Sequence, residues 1–255
     1  MDASANSSAL LDLDRHVGAS TVLAWCGTLT LVGMIRFYVP LDWVAPAWAG
    51  FVVVLAAIAW KTGDRVVLGQ AIFLSFVTLF RAVTHNFYER SYFLAPLLYS
   101  RALTVGVTVA LLFITLGFAF RLRRPSNAAP GEGRIRRVLG LLERHPEQVF
   151  FFSALTLLTA LLAMEFDGGH ITIAWGIEGV GIFLFALWIG ERSYRVSGLG
   201  LLLLCVGKIV LVDFWRLETM RDKAITFLAL GGALLLVSFL YTRKRDLIRR
   251  FLRAG

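Results

Sequence analysis

Charge is scarce in this chain. Of its 255 residues, 17% are Asp, Glu, Lys or Arg, against 58% hydrophobic. A soluble globular domain carries about 25% charged residues, and here the apolar residues run in blocks of membrane-spanning length rather than in short amphipathic stripes. That pattern excludes an ordinary water-soluble domain. Cysteine is nearly absent: Cys26 and Cys205 both sit inside apolar runs, with no Cys-x-x-Cys pair, zinc spacing or haem-attachment motif. No nucleotide-binding loop, nucleophile elbow or His-Glu-x-x-His helix occurs, so the easily named enzyme classes drop out and no cofactor is called for. The first nineteen residues lack a basic start and carry Asp2, Asp12 and Asp14. That is unlike a cleavable signal peptide, so the first hydrophobic run is expected to be retained.

What is present is a set of eight apolar runs, near 20–39, 46–61, 66–86, 100–120, 149–166, 171–189, 196–214 and 223–241. The fold expected is an all-α membrane protein of about eight transmembrane helices. The second run is short, which suggests tilt or local thinning of the bilayer. Pro40 and Pro46 punctuate the first connection, and Gly168 and Gly169 the corresponding one later. The formal net charge is +9, and its position argues against nucleic acid as a partner. Arg121, Arg123, Arg124, Arg134, Arg136, Arg137 and Arg144 crowd one connection. Arg243, Lys244, Arg245, Arg249, Arg250 and Arg253 crowd the tail, whereas the stretches 39–46 and 165–171 have no Lys or Arg. Positive-inside sorting then predicts a multi-pass membrane protein with both termini and the middle connection in the cytoplasm. The loops near 87–99 and 215–222 are expected on the periplasmic side. After the Pro- and Gly-containing joint 121–133, Ile135, Val138, Leu139 and Leu142 recur at helical spacing among arginines, as in a helix lying on the membrane surface.

Comparison of the chain with itself at fixed offsets indicates a duplication. Leu13-Asp14-Arg15-His16 matches Leu142-Glu143-Arg144-His145. At an offset of 127, Ala47-Trp48 matches Ala174-Trp175, Gly63-Asp64-Arg65 matches Gly190-Glu191-Arg192, and Arg81 meets Lys208. Asn86-Phe87-Tyr88 meets Asp213-Phe214-Trp215, and Arg101 meets Arg221 after a shortened loop. Within 47–88 there are nine identities in 42 positions, where about three or four are expected of such a biased composition. The expected organisation is a cytoplasmic segment 1–19, a four-helix repeat 20–124, a linker with an interfacial helix 125–148, a second four-helix repeat 149–244 and a basic tail 245–255. Four spans per repeat insert both copies the same way up, with a pseudo-two-fold axis along the membrane normal.

From Trp175 to Tyr241 the chain carries Trp175, Glu178-Gly179, Arg192, Gly198, Lys208, Asp213, Leu217, Arg221, Phe227, Gly231, Ser238 and Tyr241. In these landmarks it resembles a family of bacterial predicted membrane proteins with a domain of unknown function. The similarity covers about a quarter of the chain well, and the first repeat only through the duplication. It implies a topology and carries no chemistry.

Few residues could carry function. Glu178 lies about two turns into the sixth run, and its counterpart is Phe51, so the carboxylate is not part of the duplicated scaffold. An acid at that depth costs about 2.5–3.5 kcal/mol on insertion scales, which calls for an interior or watery setting. It reads either as a substrate or proton site or as a structural acid locking two helices. Lys208 and Arg81 hold matched places; each could meet such an acid or snorkel to headgroups. Lys208 and Asp213 are five residues apart and do not share a helix face, so Asp213 is expected to meet Arg216 or Arg221. Arg36 and Glu165 hold equivalent positions with opposite charge and could pair across the axis, or stand as two independent interfacial charges. Glu165, Asp167 and His170, with His85, form a weak metal-like grouping of nonspecific spacing. Three readings stay open. The leading one is a noncatalytic scaffold or accessory subunit with a membrane-protein partner or as a homo-oligomer. The others are a transporter or lipid-handling protein with a site around Glu178 and Lys208, and a periplasm-facing membrane enzyme.

Overall fold

A computed structural model describes residues 18–87, 101–122, 142, 145–166, 169–189, 192–208, 224–225, 227–239 and 242. Among the described residues the structure is all-helical. In chain order the helices are α1 (Ala19–Tyr38), α2 (Val44–Thr62), α3 (Arg65–Arg81), α4 (Arg101–Leu122), α5 (Pro146–Glu165), α6 (Gly169–Ile189), α7 (Arg192–Lys208) and α8 (Phe227–Phe239). Among the described residues six segments are long and apolar enough to cross a membrane, from Ala19–Tyr38 to His170–Ile189. The seventh and eighth expected spans are described only in part. The surface helix expected in 125–148, the tail 245–255 and the loops near 87–99 and 215–222 fall outside the described residues or almost so.

The chain divides into two compact units, Met1–Leu161 and Leu162–Gly255. In the first, local chemistry sets each helix boundary. Pro40 cannot continue α1 and drives Val39 into extended backbone (φ −96°, ψ 138°). A 3-10 turn, Leu41–Trp43, then leads into α2. Pro46 falls in the first turn of α2, where its missing N–H has no intrahelical acceptor to lose. It therefore extends the second span rather than starting it: the membrane-length segment is Leu41–Thr62, 22 residues, and not the short run expected from 46–61. Gly63 closes α2 in the left-handed region (φ 70°), its N–H reaching the Ala59 carbonyl at 2.8 Å. Asp64 caps α3 by accepting the Val66 N–H at 2.8 Å. A stop and a start placed back to back make a tight hairpin of α2 and α3.

The packed seam of this unit is built from small side chains. Ala45, Ala49, Ala56 and Ala59 on α2, Ala71 on α3, Ala119 on α4 and Ala154 on α5 are all fully buried. Small residues let helix backbones approach in lipid, where excluding water contributes nothing to helix contact. Larger groups fill the gaps, among them Val52, Leu74, Leu112, Phe150 and Leu157. The core of the first unit thus includes most of α5. Buried threonines satisfy themselves within their own helices, as Thr78 donates to the Leu74 carbonyl at 2.8 Å and Thr108 to that of Thr104 at 2.9 Å.

α1 is held differently. Of its most apolar stretch only 6% is buried, against 39–50% in the other five long segments. Two polar pins fasten it: the Thr28 hydroxyl bonds the Gln70 side chain of α3 at 3.0 Å, and the Trp48 indole N–H donates to the Val32 carbonyl at 3.1 Å. Interhelical hydrogen bonds in lipid average about 0.6 kcal/mol and reach about 1.7. A double-mutant cycle of Thr28→Val and Gln70→Leu, unfolded in micelles, should give a coupling of about 0.6–1.7 kcal/mol; a coupling near zero would show that the pin contributes nothing.

Candidate functional site

In the second unit α6 and α7 form a hairpin with two glycines at the crossing. A Cβ built on Gly198 would stand 2.9 Å from the Phe183 nitrogen and 3.0 Å from the Gly179 carbonyl oxygen. One built on Gly179 would stand 3.0 Å from Leu202 Cγ. Backbone therefore faces backbone, and Gly198 in particular has no room for a side chain. Successive turns of the same seam bury Phe183 and Ala186 on α6, and Tyr194, Leu202 and Cys205 on α7. Tyr194 stacks on Phe185, with ring centroids 6.4 Å apart.

This crossing fixes the register, and the register brings Lys208, at the end of α7, to the start of α6. Its Nζ donates to the Thr172 hydroxyl at 2.8 Å, and Thr172 is 1% exposed. Glu178 is also buried, at 8% exposure. It stands six residues beyond Thr172, about 9 Å of helix rise, and immediately before the Gly179 crossing. A carboxylate, an ammonium and a hydroxyl are thus placed on one closely packed hairpin. Beside it, α6 and α8 border an apolar cleft of about 170 Å³ lined by Thr172, Gly176 and Val180 on one wall and Ala229, Leu230 and Ala233 on the other. The arrangement can hold a charged or hydrogen-bonding group at Thr172 and Lys208 with apolar surface alongside.

Arg81 and its surroundings close one end of the first unit. Arg81 Nη2 donates to the Leu41 carbonyl at 3.2 Å, and Asn86 Nδ2 donates to the Asp42 carbonyl at 2.8 Å and to the Thr104 hydroxyl at 3.3 Å. Arg101 Nη1 donates to the Phe87 carbonyl at 3.4 Å. The 3-10 turn and a π-helical turn, Ala82–Asn86, leave carbonyls that a helix does not use, and these cations and amides take them up. Arg81 pairs two helix ends. Arg36 lies exposed in the last turn of α1, and Glu165 exposed at the end of α5. His170 is exposed at the start of α6. Asp213, Arg221 and Asp167 lie outside the described residues. Among the described residues no three His, Cys, Asp or Glu side chains are grouped to hold a metal ion.

Sequence spacing does not single out Thr172, since one hydroxyl in an apolar run carries no periodic signal. The Gly179 and Gly198 landmarks are visible in the sequence, but their close approach depends on a helix register that spacing within one helix cannot give.

The family model described as Predicted membrane protein (DUF2339) matches residues 5–244. No curated protein and no solved structure matches the chain.

The crossing makes a direct prediction. Gly198→Ala should destabilise the protein by about 1–3 kcal/mol through overpacking. Gly200→Ala, where an added methyl meets nothing within 4 Å, should be neutral or stabilising by up to about 1 kcal/mol. Equal effects of the two in thermal unfolding would show that the crossing is not tight.

Proposed function

Since the chain belongs to the DUF2339 family of predicted membrane proteins, we propose that it is a noncatalytic scaffold or accessory subunit of a bacterial inner-membrane complex, with both termini in the cytoplasm. One observation carries this reading: α1 has a membrane-length apolar surface that its own unit scarcely covers. Leu23, Phe37 and Tyr38 are 70%, 87% and 83% exposed, and the helix is tethered by two polar pins, an edge-to-face contact of Trp25 with Phe73 and the partly buried Val32 and Ile35. Its Gly27 and Gly33 have open space where a side chain would be, so a neighbouring helix can approach closely. Cationic segments on the cytoplasmic side favour the N-in, C-in orientation.

The same proposal includes two tandem four-helix repeats inserted the same way up. Supporting it, Val44–Thr62 and Arg65–Arg81 fall at an offset of 127 onto 171–189 and 192–208, and α6 ends at Ile189 while α7 runs Arg192–Lys208. Buried positions coincide in Ala45 and Thr172, Val52 and Gly179, Ala56 and Phe183, Ala59 and Ala186, Ala71 and Gly198, and Thr78 and Cys205. Leu68 and Ile72 are buried where Arg195 and Leu199 are not. The hairpin seam is common to both copies, and the outer faces differ.

A second reading, a transporter or lipid-handling protein, is favoured by buried Glu178 and by the Lys208–Thr172 bond beside the α6–α8 cleft.

Photocrosslinking separates the two. A benzophenone amino acid at Leu23 should give a protein adduct of fixed mass in native membranes, while one at Phe80, equally exposed at 70% on α3, should give lipid adducts. Lipid adducts alone at Leu23 would end the scaffold reading.

A further inference from the structure

The first unit contains a larger cavity, of about 430 Å³, well within the range of small-molecule sites. It runs along α5 from His145, just before the helix, to Thr156, eleven residues on and about 16 Å of rise. Phe76 and Leu79 of α3 and Phe152 of α5 give it apolar walls, while His145 and Gln148 form a polar end. The cavity is long; the Ser153 and Thr156 hydroxyls that also line it are bonded to Ser75 and to the Phe152 carbonyl, at 3.3 and 2.8 Å, and His145 and Gln148 present its other polar groups.

That polar end is a built site. His145 Nδ1 lies 3.1 Å from Glu147 Oε1, with the Glu147 side chain 1% exposed and the imidazole 36% exposed. A buried carboxylate needs a compensating group, and the imidazole supplies it. The carboxylate orients the ring and leaves Nε2 as the nitrogen for a ligand. On imidazolium Nε2 donates to a carbonyl; on the neutral ring with Nδ1 protonated it accepts from a hydroxyl. An anionic headgroup would be brought beside the buried Glu147 carboxylate, which opposes it.

We propose that this cavity binds a long-chain lipid with an uncharged oxygen headgroup, a quinone carbonyl or an isoprenoid alcohol, with His145 contacting the oxygen, Glu147 positioning His145, and the chain lying between Phe76, Leu79 and Phe152. The proposal does not depend on the accessory role and concerns binding only. Its occupant is chain-like because the cavity extends about two helical turns beyond Gln148, to Thr156.

The test uses the full chain in nanodiscs with three photoreactive probes: an azido-decylubiquinone, a diazirine farnesol, and a diazirine phosphatidylglycerol as the anionic comparison. Saturable labelling should map to peptides containing 76–79 and 145–156. Labelling by the quinone assigns the carbonyl, by farnesol the hydroxyl, and by both either oxygen. His145→Ala should weaken the labelling affinity about tenfold, the loss of one hydrogen bond of about 1.4 kcal/mol. Thr156→Trp, at an exposed position that narrows the far end, should weaken it independently and serves if His145→Ala does not fold. Preferential labelling by phosphatidylglycerol, labelling that does not saturate, or full labelling of a folded Thr156→Trp protein would overturn the proposal.

Discussion

Helices in hydrocarbon gain nothing from excluding water when they touch, so their contacts depend on how closely backbones can approach. The α6–α7 hairpin meets this condition at Gly179 and Gly198, where main chain faces main chain. The α2 helix meets it with alanines buried on successive turns. In the second unit the polar contacts hang on the glycine crossing. It sets the register that carries Lys208 to Thr172 and buries Glu178 at the crossing's edge. In the first unit the alanine seam lets α2 lie against both α3 and α4, and the polar residues then finish the ends rather than hold the middle. Arg81, Asn86 and Arg101 take up carbonyls released by the 3-10 and π turns.

Polar side chains inside such a structure are costly unless bonded, and their placement separates structural from functional groups. Buried threonines turn back on their own helices and add little between helices. Among the described residues, exceptions that cross from one element to another include Thr28 to Gln70, Ser75 to Ser153 at 3.3 Å, Asn86 to Thr104 and Lys208 to Thr172. The His145–Glu147 pair is local, but its imidazole lines a cavity large enough for a ligand. Among the described residues most charged side chains sit at helix ends, and the polar groups that instead line the two clefts, Thr172 in one and His145 with Gln148 in the other, make the clefts candidates.

Much of the helical frame is legible in the sequence because membrane length and apolar content are local properties. The runs 20–39, 100–120 and 171–189 lie within a residue or two of α1, α4 and α6. The second span reads too short from sequence because Pro46 looks like punctuation, whereas a proline in the first helical turn costs nothing. Glu178 can be found as a lone acid in an apolar run, and its burial follows from the cost of exposing it to lipid. Thr172 as the group that meets Lys208 cannot, because that contact is set by helix register across a hairpin. Glu147 is equally hidden: beside Pro146 at a helix start it resembles a dipole-compensating acid, and only the packing of α5 reveals it as buried. Function is the least legible, since no spacing in the chain belongs to a known reaction.

Two hairpins inserted the same way up are the centre of the proposed architecture, and side-specific labelling tests them most directly. In a Cys26→Ser, Cys205→Ala background, single cysteines introduced by Asp42→Cys, before α2, and His170→Cys, at the start of α6, should both react with a membrane-impermeant maleimide on intact spheroplasts. Reaction of one from outside and of the other only after lysis would contradict the parallel arrangement, and with it the proposed duplication.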